Sequence, residues 1–234
     1  VLTNTGEDLY EASRRAVLLR PDFAALDQLG WLPLAAGLAM TRAVAALLAD
    51  TAATADPVDR TQPAVTLKWP NDVQLDGLKV AGLLAEVVPT APLANGAAAT
   101  TASAAVGLAV VLGAGLNLSM MADQLPTETA TSLAMHGAFP EADEALAAYL
   151  RELRALIEAF AASGYNAARS GLAEAVSDAC STLGRRVRVE LPGGENLYGL
   201  ATSIDADGRL VVISEADDRP VAVAAGDVTH LRYA

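Results

Sequence analysis

Two lysines are the residues in this chain whose type and placement most need a chemical explanation. Sixteen residues are Lys or Arg, and all of them except Lys68 and Lys79 are arginine. Arginine therefore serves wherever a generic surface cation suffices. A lysine ammonium is a compact point charge with rotatable donors, and it fits confined anion positions differently from the wide, planar guanidinium. Lys68 opens the run Lys68-Trp69-Pro70-Asn71-Asp72, which gathers a cation, a carboxamide and a carboxylate around a rigid turn. Such a corner can hold a nucleotide with its metal: Lys68 facing a phosphate, Asn71 bonding a base or sugar, and Asp72 helping to hold Mg²⁺. The plainer alternative is a turn in which Asn71 and Asp72 bond their own backbone. Taken alone, the short run favours that alternative.

The elements that must position these residues are readable from periodicity and turn chemistry. Residues Asp27 to Asp50 carry apolar side chains at helical spacing, with Pro33 in the first turn, where a missing N–H costs little. Thr51 to Thr61 has loop composition. Val65 to Trp69 is extended, and Pro70 and Asn71 break it. Val73–Leu75 and Leu78–Val88 then flank Asp76-Gly77, a pair suited to a tight hairpin turn. Pro89 to Thr101 is a low-complexity loop, and Ala104 to Leu112 is a buried strand ending at Gly113-Ala114-Gly115-Leu116-Asn117. Helices are predicted over Glu141–Ala162 and from about Asn166 to Ser181. From Arg185 onward, five short alternating strands separated by Gly, Pro and Asp turns predict a small closed or nearly closed barrel.

Composition excludes several classes. A net charge of −12 and a pI near 4.5 oppose non-specific nucleic-acid binding, which draws its affinity from cations neutralising phosphates. The longest apolar stretch, Ala104 to Leu116, is broken by Gly107, Gly113 and Gly115, and it falls short of the roughly 20 residues a membrane span needs. One cysteine, Cys180, permits no intrachain disulfide, and no secretory signal is visible at Val1. His136 and His230 lie far apart without ligand spacing. A cytoplasmic protein with no membrane and no nucleic-acid partner is the expectation.

Lys68 to Val73, Asp76 to Glu86 and Gly113 to Leu118 closely resemble, in order and spacing, the signature blocks of biotin protein ligases. Ala130-Thr131-Ser132-Leu133 matches another block of that family. A single Gly-x-Gly pair is weak, but several ordered blocks are specific, and the resemblance runs from about Trp31 to Arg232. It implies an α+β fold over residues 1–181, in which a mixed sheet is flanked by helices as in class II aminoacyl-tRNA synthetases. An SH3-like β-barrel is implied over residues 182–234. ATP, biotin and Mg²⁺ are the implied ligands. The implied reaction joins the biotin carboxylate to the α-phosphate of ATP, then passes biotin to a lysine on the biotin carboxyl carrier domain of an acyl-CoA or pyruvate carboxylase. A homodimer is compatible with the family.

Carried over by position, Lys79 is the implied catalytic residue, lying against the biotin carboxylate and the α-phosphate. Lys68, Asn71 and Asp72 form the implied ATP corner, with Asp72 toward the metal. Asn117 lies near the adenine, and Gly82 and Leu83 line the biotin pocket. The family also carries a lid of the form Gly-Arg-Gly-Arg-x-Gly-Arg between its first helix, here Glu7 to Ala12, and the strand at Ala16 to Arg20. In this sequence Ser13-Arg14-Arg15 leads directly into that strand. Either the lid belongs to a segment outside this sequence, or the chain lacks it and the adenylate is left unshielded. Other readings are a biotin-sensing repressor, although no helix-turn-helix is visible, and a lipoate or octanoate transferase. A dinucleotide-binding oxidoreductase would need a third fingerprint glycine after Gly113 and Gly115.

Overall fold

The computed structural model describes residues 12–20, 26–54, 62–89 and 108–231. Strands β1 (Ala12–Leu19), β2 (Val65–Lys68), β3 (Asp72–Leu75), β4 (Leu78–Pro89) and β5 (Leu108–Asn117) form one sheet in the order β1-β5-β4-β3-β2. All of its ladders are antiparallel. Two isolated parallel bridges, Leu67 to Cys180 and Lys79 to Ala130, give it its mixed character. Asp76 and Gly77 take φ values of 49° and 84°, the left-handed pair that a two-residue hairpin between β3 and β4 requires.

One face of this sheet is covered by α1 (Trp31–Thr54) and α2 (Ala142–Ala162). Leu67, Val73, Leu75, Leu83 and Leu112 point into that core and are almost fully buried. Helix α1 is apolar on most sides because it lies between the sheet and α2. By length and composition the segment Gln28–Thr51 could cross a bilayer, but 72% of its apolar window is buried in the fold. It is a core helix, and the sequence reading missed its span-like length by looking only at Ala104–Leu116.

Other boundaries move for local reasons. Helix α1 continues past Asp50 to Thr54, with Thr51 Oγ1 bonding back to the Leu47 carbonyl at 3.0 Å. Gly113–Asn117 belongs inside β5, because β1 and β4 pair with it on both sides. Helix α3 (Leu172–Ala179) is shorter than predicted and starts after Gly171, whose φ is 77°. Of the loops predicted over Thr51–Thr61 and Pro89–Thr101, Pro89 closes β4 and residues 55–61 and 90–101 lie outside the described residues; of the helix predicted over Glu7–Ala12, Ala12 instead opens β1 and the rest lies outside them.

The predicted SH3-like barrel does not form. Strands β6 (Arg186–Glu190), β7 (Asn196–Ile204), β8 (Leu210–Ser214), β9 (Pro220–Val223) and β10 (Asp227–His230) make an open sheet in the order β10-β6-β7-β8-β9. Closure would need a ladder between β9 and β10, and none exists among the described residues. Each of these edge strands is four residues long, and β9 begins with Pro220, which has no N–H to give. Strand count and alternation were legible in sequence; closure depends on register and tilt.

The second sheet docks on the first through the only two tryptophans in the chain. Trp31 Nε1 donates to the Ala206 carbonyl at 2.7 Å, and Trp69 Nε1 donates to the Gly208 carbonyl at 3.3 Å, both on the β7–β8 turn. Gly30 faces the same turn so closely that a Cβ there would overlap the Asp207 carbonyl oxygen. Backbone cannot yield as a flexible side chain can. Gly30→Ala is therefore expected to destabilise the fold by about 1–3 kcal/mol, checked by denaturant titration of the two proteins.

Candidate active site

A single row of register crosses the sheet on the face away from α1. Lys68 pairs with Asp72, Asp72 with Gly82, and Gly82 with Gly115. Side chains of paired residues emerge on the same face. The row therefore places charged groups on β2 and β3 beside a floor of glycines on β4 and β5.

Lys79 reaches this row because of a β-bulge. Residues 79 and 82 are an odd number apart and would point to opposite faces of a regular strand. The register of β3 against β4 shifts between Val73 and Gln74, so that Ala81 opposes Val73 while Lys79 opposes Gln74. Val80 and Ala81 are consequently buried in succession, and Lys79 returns to the open face. Its Nζ lies 2.5 Å from Asp72 Oδ1, and Lys68 Nζ lies 3.9 Å from Asp72 Oδ2. Two ammonium groups against one carboxylate leave a surplus positive charge in a protein of net charge −12. The Lys79 side chain is 48% exposed, against 18% for Asp72, so the ammonium is the group available to an incoming anion.

Glycine at position 82 makes the arrangement possible. A Cβ there would sit 3.2 Å from Lys79 Cε and 3.3 Å from its Nζ. The lysine backbone is clamped from the other side: Lys79 N–H donates to the Thr129 carbonyl, and the Lys79 carbonyl accepts from Thr131 N–H, each at 2.8 Å. Asn117 Nδ2 in turn donates to the Thr131 carbonyl at 2.8 Å. Asn117 thus ties the end of β5 to the segment that holds Lys79.

The predicted residues divide into two groups. Lys68, Asp72, Lys79 and Gly82 come together on the open face. Asn71 and Leu83 bond each other: Asn71 Nδ2 donates to the Leu83 carbonyl at 2.6 Å, and Leu83 N–H donates to the Asn71 carbonyl at 2.9 Å. The Leu83 side chain is buried in the core. Where the family lid is expected, β1 runs unbroken through Ser13-Arg14-Arg15, paired with β5. A separate cleft of about 440 Å³ between the start of α1, the connection from α2 to α3 and the β7–β8 turn is lined by Trp31, Tyr165, Ile204 and Asp205 among others, and by none of the lysine-site residues.

Sequence reasoning missed the bulge and the support from the second sheet. Ser181 N–H donates to the Leu67 carbonyl at 2.8 Å, and Trp69 N–H donates to Thr182 Oγ1 at 3.1 Å. His230 Nε2 lies 3.2 Å from the same hydroxyl. Burial, then the charges of Lys68 and Arg185, push the His230 pKa below its ordinary value. The only sequence signal for these contacts was the rarity of tryptophan.

The fold is an antiparallel α+β layer that presents two lysines beside a glycine floor, and residues 28–100 match the Biotin/lipoate A/B protein ligase family. Residues 182–231 match the Biotin protein ligase C terminal domain. The chain belongs to the biotin protein ligase family. It is 39% identical over 204 residues to the Biotin--[acetyl-CoA-carboxylase] ligase of Mycobacterium tuberculosis, covering 87% of this chain and 63% of that relative. The chain thus spans less than two thirds of that relative's length. Among solved structures, the Biotin Protein Ligase of Aquifex aeolicus superposes with a TM-score of 0.68 at 18% identity, covering 95% of this chain and 83% of that one. The same organism's ligase in complex with biotin and ATP gives 0.64 at 20% identity, covering 94% and 79%. These superpositions establish the fold.

Proposed function

We propose that the chain is an ATP-dependent biotin protein ligase, with residues 1–181 as its biotin- and ATP-binding catalytic unit and residues 182–234 as its C-terminal unit. The observation that carries this reading is the Lys79–Asp72–Lys68 row beside Gly82. In the first step, a carboxylate oxygen of biotin attacks the α-phosphorus of ATP and pyrophosphate leaves, giving biotinoyl-5′-AMP. Two anions must come within bonding distance, and a fixed cation between them offsets their repulsion. Lys79 takes that position by leaving Asp72 for the ligand oxygens.

Lys68 faces the phosphate chain, while Asn71 and Asn117 border the nucleotide. The backbone at Gly82 and Leu83 lines the biotin site, since the Leu83 side chain is buried in the core. Magnesium carried on the phosphates supplies charge neutralisation, and Asp72 would hold it; one or two carboxylates are the usual protein share when phosphates and water complete the shell. Asp72 is the carboxylate that this corner offers for that share, with its two oxygens on the open face beside Lys79 and Lys68. In the second step, the ε-amine of an acceptor lysine attacks the carbonyl of the mixed anhydride, loses its proton, and AMP leaves. The acceptor is the biotin carboxyl carrier domain of an acyl-CoA or pyruvate carboxylase. The similarity to the Biotin--[acetyl-CoA-carboxylase] ligase of Mycobacterium tuberculosis supports a carboxylase partner, and the reaction belongs in the cytoplasm.

Incubating the purified chain with biotin, MgATP and a recombinant carrier domain is expected to biotinylate the carrier lysine and release pyrophosphate. Transfer of lipoate or octanoate instead, or no transfer at all, would count against the reading.

A further inference from the structure

We propose that Thr182, held by His230, is a positioning residue for Lys68, through which the C-terminal sheet sets the nucleotide corner. This rests on the ligase reading above. Strand β2 ends at Lys68, immediately before the turn that carries Asn71 and Asp72. Its backbone is gripped on both sides of Lys68 by the segment entering the C-terminal sheet. On one side Ser181 N–H donates to the Leu67 carbonyl at 2.8 Å; on the other, Trp69 N–H donates to Thr182 Oγ1 at 3.1 Å. Lys68 is the one residue between these two anchors.

The Thr182 side chain is fully buried, and its hydroxyl oxygen accepts from Trp69 N–H. His230 Nε2 on β10 lies 3.2 Å from that hydroxyl, close enough to take its hydrogen in the tautomer whose Nε2 carries none. A neutral imidazole accepts that hydrogen and fixes the hydroxyl's orientation, leaving a lone pair directed at Trp69 N–H. Burial and the charges facing His230, Lys68 from β2 and Arg185 from the approach to β6, favour the neutral form. The anchor at Trp69 is therefore oriented by a residue from the far edge of the other sheet.

The role separates cleanly from general support of the junction. Trp31 also bonds the C-terminal sheet, through Ala206, but it does so from α1 and not from β2. Thr182→Val removes the hydroxyl at nearly constant volume. It is expected to raise the KM for MgATP about tenfold, measured by pyrophosphate release at saturating biotin, with biotin affinity by calorimetry unchanged. Thr182→Ser restores the parent KM. Trp31→Phe lowers the melting temperature without moving that KM. His230→Gln, which keeps an acceptor but cannot titrate, removes the part of any rise in KM at acid pH, below the ordinary imidazole range, that belongs to imidazole protonation.

If Thr182→Val does not fold, His230→Ala carries the same test, with a smaller rise in the KM for MgATP and none in biotin affinity. A parent-like KM in a folded, active Thr182→Val protein overturns the positioning role and leaves the ligase reading standing. So does an equal rise in Trp31→Phe. A wild-type chain that releases no pyrophosphate overturns both.

Discussion

Replacing Lys79 with alanine lowers biotinoyl-AMP formation by about 10²–10³-fold, read as pyrophosphate release at saturating biotin and MgATP. On the proposed mechanism the loss falls on the rate, because Lys79 is assigned to the point where carboxylate and α-phosphate meet. Stability should change by less than about 1 kcal/mol, since the ammonium is half exposed and Asp72 keeps Lys68 within 3.9 Å. Lys79→Arg is not expected to rescue the rate. A guanidinium is wider than an ammonium, and the lysine's end already lies against Gly82 on one side and Asp72 on the other. An alanine variant that forms the adenylate at the parent rate would remove Lys79 from the mechanism.

Gly82→Ala tests the same geometry from the floor beneath it. The new methyl would approach Lys79 Cε to 3.2 Å and Nζ to 3.3 Å, tighter than an ordinary contact. The lysine end is flexible and gives way, so the strand should keep its fold. The ammonium, however, is displaced from its place beside Asp72, and the floor on which a ligand would lie rises. Errors of position on this scale cost about 10–100-fold in rate. Pyrophosphate release should fall by that amount while the melting curve stays close to the parent's. A variant that loses stability and rate in proportion would show that Gly82 serves the strand rather than the site.

Much of the fold was readable because local chemistry decided it. Helix α1 follows from apolar spacing and β3–β4 from Asp76-Gly77, and the five C-terminal strands follow from alternation between turn residues. Failures came where the answer depended on pairing partners. Gly113–Asn117 reads as the end of the Ala104–Leu112 strand, yet β1 and β4 pair with it on either side and carry the strand through to Asn117. Closure of the C-terminal strands into a barrel was expected from their number and length, while the two short edges stay apart.

The site divides along the same line. The rarity of lysine, together with ordered blocks around Lys68, Lys79 and Gly113, singled out the residues and their chemical types, since identity and spacing along the chain are properties of sequence. That Lys79 and Gly82 share a face could not be read there, because an odd separation on a strand predicts the opposite. A shift of one residue in the register of β3 against β4 reverses that expectation. Nor could spacing reveal that Thr182 and His230, more than 100 residues beyond Lys68, hold its strand. Such contacts arise when two sheets dock, and docking is settled by the shapes of buried surfaces such as the Gly30 and Gly208 approach, which no local pattern encodes.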